Sequence, residues 1–282
     1  MIQTIRNLSL EGADGKTILM DIFFKKNNQP KPVVVFSHGY KGFKDWGCWD
    51  LAAEQFAEND CFFVKFNFSH NGTTPQNPLE FGDLEAFGHN NFTKELFDLE
   101  KVINWVCDAD AFLQDKNPDA LTLIGHSRGG GVCALKAGED TRVSKLITWA
   151  GVSDFGSRFP TGQKLEKWKE TGVMFIENAR TKQQMPHYYQ FYQDFQNHSE
   201  RLFVEAAVKR FNKPQMVLHG EADSVISVEE AKKMHRWNPK SKLIMIPDAD
   251  HVFGGKHPYP ETTLPAPFQI LTQESILFVK TD

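Results

Sequence analysis

The sequence predicts an α/β fold, and two observations carry that expectation: strand-length apolar runs with little alternation, and helical apolar periods lying between them. Val33 to Ser37, Cys61 to Phe68, Leu121 to Gly125, Leu146 to Ala150, Gln215 to His219 and Leu243 to Ile246 are runs of apolar or β-branched residues. Strands of that kind are covered on both faces, which is the condition of a mostly parallel sheet. Trp49, Ala53 and Phe56 recur at helical spacing, as do Leu96, Leu99, Ile103 and Val106, and a further helix is expected to open at Ser127. Strands alternating with helices build right-handed βαβ units with helices on both faces.

From the N-terminus, short apolar runs flank a Gly12-Ala13-Asp14-Gly15 turn and lead into Thr17 to Phe24, which reads as an antiparallel hairpin at a sheet edge. Ser69 to Asn91 is a long connection rich in Gly, Asn and Pro; loops of that length inside a domain are expected to be functional or mobile. After the Leu146 strand, the sixth, the alternation stops. Residues 151–210 are polar and aromatic, with helices expected around Leu165 to Glu170 and Glu200 to Arg210, at a place where a helical lid over a cleft would sit. The chain of 282 residues therefore divides into 1–150 as the N-terminal part of a core, 151–210 as a helical insertion, and 211–282 as the C-terminal part. Phe268 to Val279 is expected to close the fold as a helix.

With 40% apolar residues, 24 of them Phe and 6 Trp, the chain can fill a large interior. A formal charge of -4 with a pI near 6.2 offers no electrostatic reason to bind nucleic acid or an anionic membrane. Polar Gln3, Thr4, Arg6 and Asn7 interrupt the first ten residues, so the apolar centre of a signal peptide is not expected there, and no window approaches the roughly 18 apolar residues of a membrane span. Cys48, Cys61, Cys107 and Cys133 are scattered without CxxC spacing. They suit neither a zinc site nor a disulfide framework, and they point to thiols in a reducing, cytoplasmic setting.

Chemistry concentrates in Gly125-His126-Ser127-Arg128-Gly129, where the Leu121 strand should pass into a helix. A serine hydroxyl is a weak nucleophile and must be held on a tight turn and handed to a base. The residues two before and two after must be small, because strand and helix backbones pass close there, and both are glycine. An orienting acid and then a base should follow, each beyond a later strand. Asp223 lies just past the Gln215 to His219 strand, and His251 just past the Leu243 to Ile246 strand. Asp154 and Glu221 are competing acids, and His257 is a competing base. Asp248 and Asp250 are read as shaping the turn before His251, and His38, His126 and His219 as packing or hydrogen-bonding locally. An anion site is expected from the amide of Arg128 at the helix N-terminus and the amide of Tyr40 in Ser37-His38-Gly39-Tyr40.

Together His38-Gly39-Tyr40, Gly125-His126-Ser127-Arg128-Gly129-Gly130, His219-Gly220-Glu221-Ala222-Asp223 and Asp250-His251-Val252-Phe253 resemble the α/β-hydrolase superfamily, in particular its dienelactone-hydrolase-like and acyl-peptidase-like esterase branches. The resemblance runs from about Thr17 to the C-terminus. It implies an eight-stranded, mostly parallel sheet, no cofactor or metal, and hydrolysis of a small acyl substrate through an acyl-enzyme, with Ser127, His251 and Asp223 as the triad. Dienelactone hydrolases proper use a cysteine nucleophile, so their lactone substrate does not carry over to Ser127. A carboxylic-ester hydrolase is the expected activity. An aminopeptidase or acyl-peptidase is the alternative, with Glu166, Glu170 and Asp194 as candidates to hold a charged terminus, and a hydrolase-fold binding protein without turnover is a third reading. Tyr188, Tyr189, Phe191, Tyr192 and Phe195 either line a pocket or pack the insertion's helices. The oligomeric state is left open.

Overall fold

The computed structural model describes residues 1–281. An eight-stranded sheet forms the centre, from β1 (Ile2–Glu11), β2 (Thr17–Lys25), β3 (Lys31–Ser37), β4 (Phe62–Asn67), β5 (Lys116–His126) and β6 (Val143–Trp149), then β9 (Gln215–Gly220) and β10 (Ser241–Ile246), the intervening β7 (Val173–Glu177) and β8 (Gln184–Tyr188) lying outside it. Its strand order is β1-β2-β4-β3-β5-β6-β9-β10. The first hairpin is antiparallel with β1 at the edge, as expected, and the six strands β4-β3-β5-β6-β9-β10 run parallel to one another.

The unbroken apolar runs have the predicted cause. Successive strand side chains point to opposite faces, and both faces of this sheet are covered. Val33 and Val35 join one core, with α3 (Phe92–Asp108), α4 (Arg128–Glu139) and α7 (Val204–Phe211). Val34 and Phe36 join the other, with α1 (Trp49–Glu58) and the closing helix α9 (Ala266–Lys280). Helix α3 starts where Asn91 accepts the Lys94 amide at 2.9 Å, and α8 (Val228–Trp237) starts on Ser227 in the same way.

Two segments depart from the sequence expectation. The connection 69–91 is packed at its two ends and exposed over most of 75–80: it holds a short helix, α2 (Leu84–Gly88), and buries Phe81 and Phe87 against Phe43 and Met185. Between β6 and β9 lie α5 (Gln163–Thr171), α6 (Gln190–Asn197) and α7, but also an antiparallel hairpin of β7 (Val173–Glu177) and β8 (Gln184–Tyr188). Five-residue strands carry little periodicity, and Pro186 inside β8 argues against a strand when read locally. What holds the hairpin is tertiary: Trp168 Nε1 donates to the His187 carbonyl at 2.8 Å, and the Tyr188 ring lies against Gly88. Among the described residues no helix is long and apolar enough to cross a membrane.

Candidate active site

β5 ends at His126 and α4 begins at Arg128, so the chain reverses on Ser127, which takes φ 55° and ψ −120°. That backbone state costs a non-glycine residue on the order of 1–3 kcal/mol and persists only where the surroundings impose it. They do so by contact between backbones. A Cβ on Gly125 would lie 2.2 Å from the Gly129 carbonyl oxygen, and one on Gly129 would lie 2.4 Å from that of Ser37. Gly125→Ala is accordingly expected to destabilise the protein by about 2 kcal/mol or more, measured as the urea midpoint. Gly15→Ala, at φ +71° with nothing within 4 Å, should cost about 1 kcal/mol and serves as the comparison.

A serine preceding a helix ordinarily accepts an amide of the first turn. Ser127 makes no such cap, and its hydroxyl has no hydrogen-bond partner among the described residues. It is left available at the wall of two cavities.

His251 and Asp223 come from the loops after β10 and β9, and the fold brings them together: His251 Nδ1 donates to Asp223 Oδ2 at 2.8 Å. With Nδ1 protonated, Nε2 of the neutral ring is an acceptor. The Asp223 side chain is fully buried. Its Oδ1 accepts the amides of Val225 and Ile226 at 2.8 and 2.9 Å, and Oδ2 also lies 3.2 Å from His219 Nε2. Burial alone would raise its pKa, but the donors His219, His251 and the Ile226 amide outweigh it, and the carboxyl is held well below the usual range. His219, read from the sequence as packing or hydrogen-bonding locally, donates from Nε2 to the Ile226 carbonyl at 2.9 Å while lying against the same carboxylate oxygen.

His126 fastens the His251 loop to the elbow. Its Nε2 donates to the His251 carbonyl at 2.9 Å, with the two rings 4.8 Å apart. Burial, reinforced by His251, lowers its pKa to about 3, so it stays a neutral donor at ordinary pH.

Tyr40 lies in the loop after β3, which presses on the elbow so closely that a Cβ on Gly39 would lie 2.9 Å from Ser127 Cβ. Among the described residues, neither the Tyr40 nor the Arg128 amide donates a hydrogen bond, so both are available to a ligand. The side chains have other work. Tyr40 Oη pairs with His187 Nε2 at 2.6 Å, and the Arg128 guanidinium stacks over the Tyr40 ring at 4.4 Å while bonding Glu95 at 3.3 Å.

The competing candidates are placed elsewhere. Asp154 Oδ1 accepts the amides of Gly156 and Ser157, Asp250 Oδ1 those of Val252 and Gly254, and Glu221 is exposed. Asp248 takes the turn conformation expected of it, at φ 55°. His257 Nδ1 accepts the Gly47 amide at 3.0 Å. Asp21, Asp45 and Asp50 cluster as metal ligands would, yet Lys44, Lys65 and Arg6 already sit among them as counter-charges.

The first cavity, about 250 Å³, is lined by Phe92, Phe155, Phe159, Met174, Ile176 and Phe191 among others, with Ser127 and Arg128 at its edge. The second, about 360 Å³, is lined by Ser127, His251, Trp46, Trp49, Lys41 and Arg180 among others. The hairpin β7–β8 and its turn contribute a wall to both, through Met174, Ile176 and His187 on one side and Asn178 to Arg180 on the other. Sequence reasoning missed these residues because it placed no hairpin there. Of the insertion's aromatic group only Phe191 lines a cavity around Ser127; Tyr189, Tyr192 and Phe195 pack against Phe159 and Trp168.

Residues 34–262 match the model of the alpha/beta hydrolase family. No curated protein matches the chain in sequence. Among solved structures it is similar to Est1E from Butyrivibrio proteoclasticus with ferulic acid bound, at 18% identity over 96% of this chain and 97% of that one, TM-score 0.73. It is also similar to the esterase domain of a Rhodothermus marinus protein, at 16% identity over 99% of both chains, TM-score 0.62. A putative dienelactone hydrolase from Klebsiella pneumoniae subsp. pneumoniae matches at 15% identity over 100% of both chains, TM-score 0.60. At these identities the likeness is one of fold, and the family match over most of the chain gives the assignment: this protein belongs to the alpha/beta hydrolase family.

Proposed function

We propose that the protein is a serine hydrolase that cleaves a carboxylic ester or related acyl bond through an acyl-enzyme. The observation that carries this reading is the His251–Asp223 hydrogen bond beside a cavity that His251 shares with Ser127. His251 Nε2 takes the Ser127 proton as Oγ attacks the acyl carbon, and Asp223 holds the ring in the tautomer that makes Nε2 the acceptor. The amides of Tyr40 and Arg128 receive the oxyanion, each such donor contributing on the order of 10²- to 10³-fold in rate. His251 then protonates the leaving group and activates the water that releases the acyl product.

Ester is favoured over aminoacyl amide by the cavity linings, since among the described residues neither cavity has an Asp or Glu in its wall to hold a charged amine. The acids offered for that purpose are placed otherwise. Glu166 and Glu170 lie on the exposed side of α5, and Asp194 accepts from Thr93 Oγ1 at 2.6 Å at the start of α3.

A fluorophosphonate probe is expected to label Ser127 and no other residue, with the labelled peptide identified by mass spectrometry and labelling slowed by excess acyl ester. An unlabelled protein, or a label on another serine, contradicts the proposal.

A further inference from the structure

The two cavities meet at Ser127, but only the second has His251 in its wall. The group that takes the serine proton returns it to the departing oxygen, so the leaving group must occupy the His251 side and the acyl chain the other. That division rests on the hydrolase reading. It gives the two cavities different chemical tasks, and their charges differ accordingly.

On the acyl side the walls are apolar and the two guanidinium groups are matched, Arg128 by Glu95 and Arg158 by Glu230. On the leaving-group side Lys41 and Arg180 face the cavity, and among the described residues no Asp or Glu lines it. Neither cation makes an ion pair among the described residues. Lys41 Nζ reaches the Glu177 carbonyl at 3.5 Å and lies 5.2 Å from the Tyr40 ring centre, and the Arg180 guanidinium has the Phe43 ring 5.8 Å away. Asp45, a nearby acid, is committed to Lys44 and Lys65. His257 adds a donor, because its Nδ1 accepts the Gly47 amide and the ring proton therefore sits on Nε2. Lys41 is half-buried and Arg180 is exposed at the cavity's mouth, and a half-buried cation such as Lys41 without a counter-charge is unfavourable unless something supplies the charge. Lys41 bears this out, its ammonium pKa being lowered by burial.

We propose that this cavity selects an anionic leaving group, an alcohol or thiol whose carboxylate is held by Lys41 and Arg180. In the reaction the acyl carbon–oxygen bond breaks with its electron pair going to the alcohol oxygen, which takes the proton from His251. Water then gives its hydroxyl to the acyl carbon as the bond from that carbon to Ser127 Oγ breaks, its electron pair going to Oγ, which takes the water's other proton through His251.

The test compares 3-carboxyphenyl butyrate with its neutral counterpart, 3-(methoxycarbonyl)phenyl butyrate, which share an acyl group and leave as phenols of similar acidity. The carboxylate ester is expected to show a kcat/KM about tenfold higher, as one charge-assisted contact at a partly exposed site provides. The advantage should reside in KM and shrink as sodium chloride is raised. In the Lys41→Gln/Arg180→Gln double variant the ratio should fall to about one. Because the wild-type ratio and its salt dependence need no variant, poor folding of the double variant does not decide the matter. Turnover of both esters with an equal or inverted ratio overturns the anion selectivity and leaves the hydrolase reading standing. Consumption of neither ester, together with no fluorophosphonate label on Ser127, removes both.

Discussion

Ser127→Ala is expected to lower kcat on an acyl ester by about 10⁵- to 10⁶-fold, the scale on which serine hydrolases lose their nucleophile. The substitution removes only the Oγ atom, so the route through an acyl-enzyme is gone while the Tyr40 and Arg128 amides still present themselves to the substrate carbonyl. A small residual rate over water from those donors is therefore expected. Stability should move by no more than about 0.5 kcal/mol, because the hydroxyl makes no hydrogen bond among the described residues and Ala inherits the same backbone conformation. Steady-state kinetics on an activated ester and thermal midpoints of both proteins check the two halves. Wild-type turnover by the variant would remove Ser127 from the mechanism.

Asp223→Asn is expected to cost about 10⁴-fold in kcat with little change in KM. Oδ1 can still accept the Val225 and Ile226 amides, so the loop keeps its shape. The change falls on the atom facing the histidines: an amide NH₂ there cannot accept from His251 Nδ1 and instead favours the tautomer with its proton on Nε2, which cannot take the serine proton. A pH effect accompanies the loss. In the wild type the folded-state pKa of Asp223 lies well below the ordinary carboxylate value of about 3.9. Its contribution to stability is thus complete above that value and is lost as pH falls from there towards the folded-state pKa. The variant has no such contribution, so the stability gap between the two proteins should narrow as the pH is taken from 5 to 3. Urea midpoints at both pH values measure it, and a gap that widens on acidification would mean that Asp223 is not held ionised by these donors.

How far these residues were legible in the sequence depends on the range of the forces that place them. The six parallel strands show in the apolar runs because each must bury two faces, a demand written into consecutive residues such as Val33 to Phe36. The elbow shows for the same reason: Gly125 and Gly129 are required by backbone contact with neighbours in the motif and with β3. The order Ser127, Asp223, His251 could also be read, each just past a strand end. Which of Asp223 and Asp154 bonds His251 is not legible in the sequence, since both acids follow a strand and only their separation in space distinguishes them.

By itself, then, the sequence determined the parallel sheet, the sharp turn at 127 and the candidate side chains on successive strand ends, because periodicity, glycine spacing and strand boundaries are local properties. The tertiary structure decided that His219 shares the carboxylate with His251, that 173–188 folds as a hairpin despite Pro186, and that Lys41 and Arg180 line one cavity while the phenylalanines line the other. Those features depend on contacts between residues far apart in the chain, Tyr40 with His187 and Trp168 with β8 among them. Such contacts exist only once the sheet has brought its distant loops to one rim.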